Sequence, residues 1–140
     1  MSGAERKAPD DTILDDANRC PCGSGDVFGA CCRPLLDGAA APTAERLMRS
    51  RYTAFVLHDE SYLRASWHPS TRPSELDFDD DLHWRRLVIV DRVDGGPFDL
   101  EGVVEFEAFF VQGPERGSLR ERSRFVREDR RWLYLDGQVG

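Results

Sequence analysis

Cys20, Cys22, Cys31 and Cys32 are the residues whose type and spacing most clearly point to chemistry. The first pair is separated by one residue, the second pair is adjacent, and eight residues lie between the pairs. Four thiolates suit a soft, tetrahedral cation. Zinc is the usual occupant of a four-cysteine structural site, and iron is the chemical alternative. Four protein ligands leave no open coordination position, so such a metal would fold the chain and present a surface rather than catalyse. A disulfide competes poorly, because a bridge between adjacent cysteines is strained. No C-x-x-C redox spacing occurs. Gly23 and Gly25 can adopt positive φ and let the loop double back, so that backbone N–H groups reach the sulfurs. Phe28 is the one large aromatic between the pairs and is expected to form a miniature core. So short a module buries too little surface to fold alone and needs its metal.

Around this knuckle the chain divides into segments. Residues 1–18 read as a flexible acidic leader, 19–38 as the cysteine module, Ala39–Pro42 as a linker and 43–140 as a larger domain. Thr43 is a helix cap with Glu45 in the first turn. Leu47, Met48, Arg51, Tyr52, Phe55 and Val56 follow at helical spacing. Asp59 restarts the pattern through Tyr62 and Leu63, toward an end at His68-Pro69. Ser70 to Asp81 is polar and predicts a loop. Trp84–Val93, Leu100–Gln112, Leu119–Arg127 and Arg131–Asp136 read as four strands joined by short turns, an antiparallel meander. Asp136-Gly137 reads as a closing turn. Helices covering one face of such a sheet make an α+β layer fold.

Composition limits the partners. The chain has 140 residues and a net charge of −7, which argues against nucleic acid and against a membrane surface. Of the 19 basic residues only Lys7 is lysine. No apolar run is long enough to span a bilayer, and the first residues lack the apolar stretch of a secretory signal. The expectation is a cytoplasmic protein, where clustered cysteines bind metal more often than they pair.

The pattern C-P-C-G-S-G-x-x-F-x-x-C-C over Cys20–Cys32 resembles the SEC-C motif, named for the C-terminus of the SecA translocation ATPase. The resemblance implies zinc held by Cys20, Cys22, Cys31 and Cys32, with Cys32 standing where SecA has histidine. In SecA the motif serves docking to a chaperone and to the ribosome, so it also implies a protein or ribosome partner here. Ala41–Phe55, Tyr62-Leu63, Trp67-His68-Pro69, Glu121–Phe125 and Trp132–Gly137 resemble the YchJ family. That family implies a nuclear-transport-factor-two-like (cystatin-like) domain, a curved antiparallel sheet wrapped around helices as a cone. Arg120 departs from the family pattern, in which histidine commonly precedes the Glu-x-Ser, so any role of that histidine does not carry over.

Alternation in the third strand places Leu119, Glu121, Ser123 and Phe125 on one face and Arg120, Arg122 and Arg124 on the other. If Phe125 is in the core, Glu121 and Ser123 also point inward, and a buried carboxylate needs a partner. Arg49, Arg51 and His68 are the candidates. The outcome is either an internal ion pair or a polar pocket floor. The outward arginines would meet Glu105 and Glu107 across the strands. The candidate pocket draws Arg51, Tyr52 and Tyr62 from the helices and Trp67 and His68 from the segment after them. Trp84 comes from the first strand, and Glu121 and Ser123 from the third. The leading functional reading is a zinc-binding adaptor whose knuckle docks to a partner while the cone holds a small ligand or peptide. One alternative is a hydrolase or isomerase with Glu121 or His68 as acid or base. The other is a purely structural zinc module.

Overall fold

The computed structural model describes residues 14–140. The predicted leader lies outside these residues except for its last part. There Asp15–Asn18 form a turn that joins the cysteine module, with Gly29 N–H donating to the Asp16 carbonyl at 2.9 Å and Phe28 N–H to that of Asn18 at 2.7 Å.

The module contains a short 3-10 turn, Phe28–Ala30, and a helix α1, Cys32–Leu36. Helix α2 spans Ala44–Leu57 and α3 spans Glu60–Ala65. Thr43 caps α2 as expected, its Oγ1 accepting from Arg46 N–H at 3.1 Å, and Asp59, where the pattern restarts, caps α3, its Oδ1 accepting from Tyr62 N–H at 3.0 Å. Capping hydroxyls and carboxylates satisfy N–H groups that have no partner within the helix. His58 adopts φ 58° and breaks the chain between the two helices. Helix α3 stops at Ala65, short of the predicted end. There the chain turns to run beside the last strand: His68 N–H donates to the Tyr134 carbonyl at 2.8 Å, and Tyr134 N–H to the Ser66 carbonyl at 2.9 Å.

Four antiparallel strands follow: β1 Leu82–Asp94, β2 Glu101–Gln112, β3 Glu115–Glu128 and β4 Arg131–Val139, in spatial order β1-β2-β3-β4. The expected meander and α+β class therefore hold. Asp129 and Arg130 both take positive φ, as a two-residue hairpin of the primed type requires. Strand β4 continues through Asp136-Gly137, where the composition predicts a turn. Asp136 pairs with Arg124 in the ladder, and its carboxylate receives two guanidinium bonds from Arg124, at 2.7 and 2.6 Å. Gly95 and Gly102 lie so close beneath Ala44 that a side chain on Gly102 would strike the Gly95 backbone.

One continuous core joins the module to the larger domain. It runs from Cys20, Cys22, Phe28 and Leu35 through Leu47 and Tyr52 to Leu87, Phe106, Phe125 and Trp132. Helix α2 is buried on several sides, including polar Ser50, Arg51 and Thr53, because the sheet, the module and α3 all pack on it. No helix among the described residues is long and apolar enough to cross a membrane.

Candidate functional site

The knuckle folds as a tight loop. Gly23 and Gly25 take φ 81° and 95°, and Cys20 N–H donates to the Asp26 carbonyl at 2.9 Å. This brings the four sulfurs within 4.8 Å of one another. Cys22 Sγ and Cys31 Sγ are 3.6 Å apart, close to the ~3.8 Å edge of a tetrahedron built on zinc–sulfur bonds of about 2.3 Å. All four cysteines are free thiols and buried, none more than 5% exposed. The donor set and its spacing fit a metal ion.

Side chains from α2 and the loop surround the sulfurs. Thr53 Oγ1 donates to Cys32 Sγ at 3.4 Å and lies 3.8 Å from Cys20 Sγ. Ser24 Oγ is 3.1 Å from Cys31 Sγ. Arg46 Nη2 donates to the Cys31 carbonyl at 2.7 Å, and its Nη1 sits 3.5 Å from Cys31 Sγ. Arg49 Nη1 donates to the Cys22 carbonyl at 2.7 Å. Four thiolates around a divalent cation carry excess negative charge, and these two guanidiniums stand against it.

The thiols also perturb one another. Cys22 is driven far below the usual thiol range by hydrogen bonds from Cys20 and then Cys32, with help from Ser24. Cys32 is driven up by its contacts with Cys20 and Cys22 and by burial. Cys20 is raised mainly by Cys22. Thiolates packed this closely would repel one another, and a cation held among them would relieve that repulsion.

A second feature lies on the other side of α2. A cavity of about 220 Å³ opens between Met48, Arg51, Tyr52 and Phe55 of α2, Trp67, and the inner face of the sheet. Trp84, Phe106, Ala108 and Leu119 give it apolar walls, and Glu121, Ser123 and Tyr134 a polar side. Glu121 Oε2 accepts from Ser123 Oγ at 2.8 Å and from Tyr134 Oη at 2.9 Å. Its side chain packs directly over Gly137, where a Cβ would collide with the carboxylate. Arg51 is 3% exposed. Its Nη1 donates to the Leu63 carbonyl at 2.9 Å and to Ser66 Oγ at 2.6 Å. The guanidinium carbon stands 4.8 Å from the Trp67 ring centre and 4.5 Å from that of Tyr134. Burial pushes the Arg51 guanidinium down to about 10, partly countered by Tyr134, Tyr62 and Glu121. Burial and the neighbouring Glu121 push the Tyr134 phenol well up.

Of the predicted pocket residues, Arg51, Tyr52, Trp67, Trp84, Glu121 and Ser123 line this cavity. Tyr62 and His68 do not. Tyr62 bonds Ser50 Oγ at 2.6 Å and lines a separate cleft of about 510 Å³ where α1, α3 and the start of β4 meet. His68 is carried past the sheet edge by the pairing of residues 66–68 with β4. Its Nε2 meets Glu128 Oε2 at 2.9 Å and its Nδ1 meets Ser70 Oγ at 2.7 Å. Neither His68 nor Arg49 partners Glu121. Arg49 is instead bound to Glu45 at 2.9 Å.

The outward arginines of β3 do meet acids across the strands. Arg120 and Arg122 bond Glu105 at 2.9 Å each. Sequence reasoning misses Thr53, Arg46 and Arg49 as neighbours of the sulfurs, although their spacing places them on one side of a helix. It also misses Tyr134 as a cavity residue, although Tyr134 shares a strand face with the core residue Trp132.

Comparison with known proteins places the chain in a family. The family model described as "YchJ, middle NTF2-like domain" matches residues 43–137, and the SEC-C motif matches residues 18–34. The UPF0225 protein SCO1677 of Streptomyces coelicolor is 51% identical over 120 residues, covering 85% of this chain and 94% of that protein. The UPF0225 protein of Deinococcus radiodurans is 48% identical over 120 residues, 84% and 86% of the two chains. A SEC-C motif containing protein of Rhodopseudomonas palustris, solved in solution, superposes with a TM-score of 0.75 at 33% identity, over 86% of this chain and 98% of that one. A crystal structure of such a protein from Psychrobacter arcticus gives 0.74 at 27% identity, over 91% and 86%. With its larger domain matched over 43–137 and relatives near half identical along most of their length, the chain belongs to the YchJ family.

Proposed function

We propose that this protein is a metal-stabilised binding protein. Zinc on Cys20, Cys22, Cys31 and Cys32 folds the knuckle as a docking surface for a protein or ribosomal partner, and the cone cavity takes a small ligand. The observation that carries this reading is the pairing of a closed donor set with a separate cavity on one helix. The sulfurs are buried, so a metal there has four protein ligands and no position for substrate. Helix α2 sends Arg46, Arg49 and Thr53 to the sulfurs and Arg51, Tyr52 and Phe55 to the cavity. Acid–base catalysis would rest on Glu121 alone, because His68 sits outside the cavity on Glu128, and Glu121 Oε2 is already held by the Ser123 and Tyr134 hydroxyls. Zinc is preferred to iron because four-cysteine sites of this closed type are most often structural zinc. A cytoplasmic location belongs to the same reading, since a reducing compartment keeps the thiols available.

Docking would use the loop Gly23–Val27, which is exposed and carries Val27 at 42% exposure. Co-sedimentation of the purified, metal-loaded protein with purified ribosomes tests it. Binding that Val27→Glu weakens at unchanged metal content is the expected result. Failure to sediment would remove the ribosomal partner from the proposal. A purely structural role has its own support, because the sulfurs lie in the same core as the larger domain, and it becomes the preferred reading if no docking is found.

A further inference from the structure

The two charged groups of the cavity are only partly used by the protein. Arg51 makes its hydrogen bonds through Nη1 alone, and among the described residues Nε and Nη2 have no hydrogen-bond partner. Glu121 receives both of its bonds on Oε2, and among the described residues Oε1 receives none. Both residues line the cavity. A single ring separates them: Tyr134 holds Glu121 through its hydroxyl and Arg51 on its face. The cavity lining therefore includes spare donors on Arg51 and a spare acceptor on Glu121, one positive and one negative, bridged by the Tyr134 ring.

Charge balance decides what fits. Arg51 and Glu121 offset each other, so a ligand that brings a net charge leaves one charge unmatched beside the cavity's apolar walls, at a desolvation cost. A purely apolar ligand strands the spare donors and acceptor instead. A neutral group with an N–H and a C=O side by side satisfies both. The space is adequate for a ring: about 220 Å³, against the roughly 150 Å³ of an apolar cavity that takes benzene.

We propose that the cone cavity binds a neutral, planar ring compound bearing an amide-type edge, its N–H donating to Glu121 Oε1 and its C=O accepting from the Arg51 guanidinium. This rests on the reading of the cavity as a ligand site. The test is calorimetry and indole NMR at pH 7 with four probes of one shape: benzamide, benzoate, benzylamine and toluene, with L-phenylalanine as a zwitterionic comparison. Benzamide is expected to bind at least about tenfold more tightly than each of the others. Glu121→Gln keeps the shape and an oxygen for Ser123 and Tyr134 but leaves Arg51 unbalanced, so benzoate should then overtake benzamide. Toluene or L-phenylalanine binding as well as benzamide would overturn the amide-edge proposal and leave the ligand site standing. If none of the probes binds, the proposal and the ligand-site reading both fall. The wild-type series is decisive by itself should the Gln variant not fold.

Discussion

Thr53 shows how much of the candidate metal site is made away from the cysteines. Its hydroxyl is buried, donates to Cys32 Sγ at 3.4 Å and approaches Cys20 Sγ at 3.8 Å. Hydrogen bonds to ligating sulfur spread its charge and fix its position. Thr53→Val keeps the shape and removes this hydroxyl. It should lower stability by about 1 kcal/mol and metal affinity by roughly tenfold or more, read by urea unfolding and by chelator competition. A Thr53→Val variant that holds metal as tightly as the wild type would contradict the role. The cysteines themselves were legible from spacing, because a ligand set within one short loop is a local feature. Thr53, Arg46 and Tyr134 were not, because each meets its partner only after distant segments pack. His68 and Tyr62 were misplaced for the converse reason. The pairing of residues 66–68 with β4 turns Trp67, and not His68, toward the cavity, and Tyr62 on α3 is held by Ser50 in the other cleft.

At the scale of elements, α2 is the part that ties the others together. Glu45 in its first turn bonds Arg49 at 2.9 Å and Arg92 of β1 at 2.6 Å, and Arg49 in turn reaches the knuckle carbonyl of Cys22. Burial raises the Glu45 carboxyl, but the bonds and charges of Arg49 and Arg92 outweigh it and hold the group below the ordinary carboxylate value. A carboxyl lowered in the folded state takes its proton first in the unfolded chain. Its contribution is therefore complete above the ordinary value near 4.5 and fades as pH falls below it. Glu45→Gln should be less stable than the wild type at pH 7, by about 0.5–1 kcal/mol. The gap in melting temperature should close as pH drops toward 4 and below. A gap that persists in acid would assign the effect to shape rather than charge. The strands were readable because alternation is a two-residue signal and one face is buried; Val104, Phe106 and Ala108 on β2 are all in the core. Helix α1 was not readable. It is five residues long and starts at a cysteine, so glycine and cysteine spacing masked any helical period. The extra length of β4 was hidden by Asp136-Gly137, whose turn-like composition yields to the Arg124–Asp136 pair and to Glu121 packing over the glycine.

For the molecule as a whole, the module and the cone are one body. Leu35, Cys22 and Cys32 share a core with Tyr52, Phe106 and Trp132, so the linker Ala39–Pro42 does not separate two independent units. Metal removal should then lower the stability of the entire chain. Chelation by a strong zinc ligand is expected to shift the melting of sheet and helix signals together, as a single transition. A chelated protein whose sheet melts at the original temperature would mean that the knuckle is an appendage. In the proposed reading, four buried sulfurs enclose one metal and leave it no open position. X-ray absorption at the metal edge, on protein purified without added metal, tests this most directly. The expected spectrum is that of zinc with four sulfur neighbours at about 2.3 Å and no oxygen or nitrogen bound to it. A bound oxygen, fewer than four sulfurs or a purified protein that carries no metal at all would contradict it.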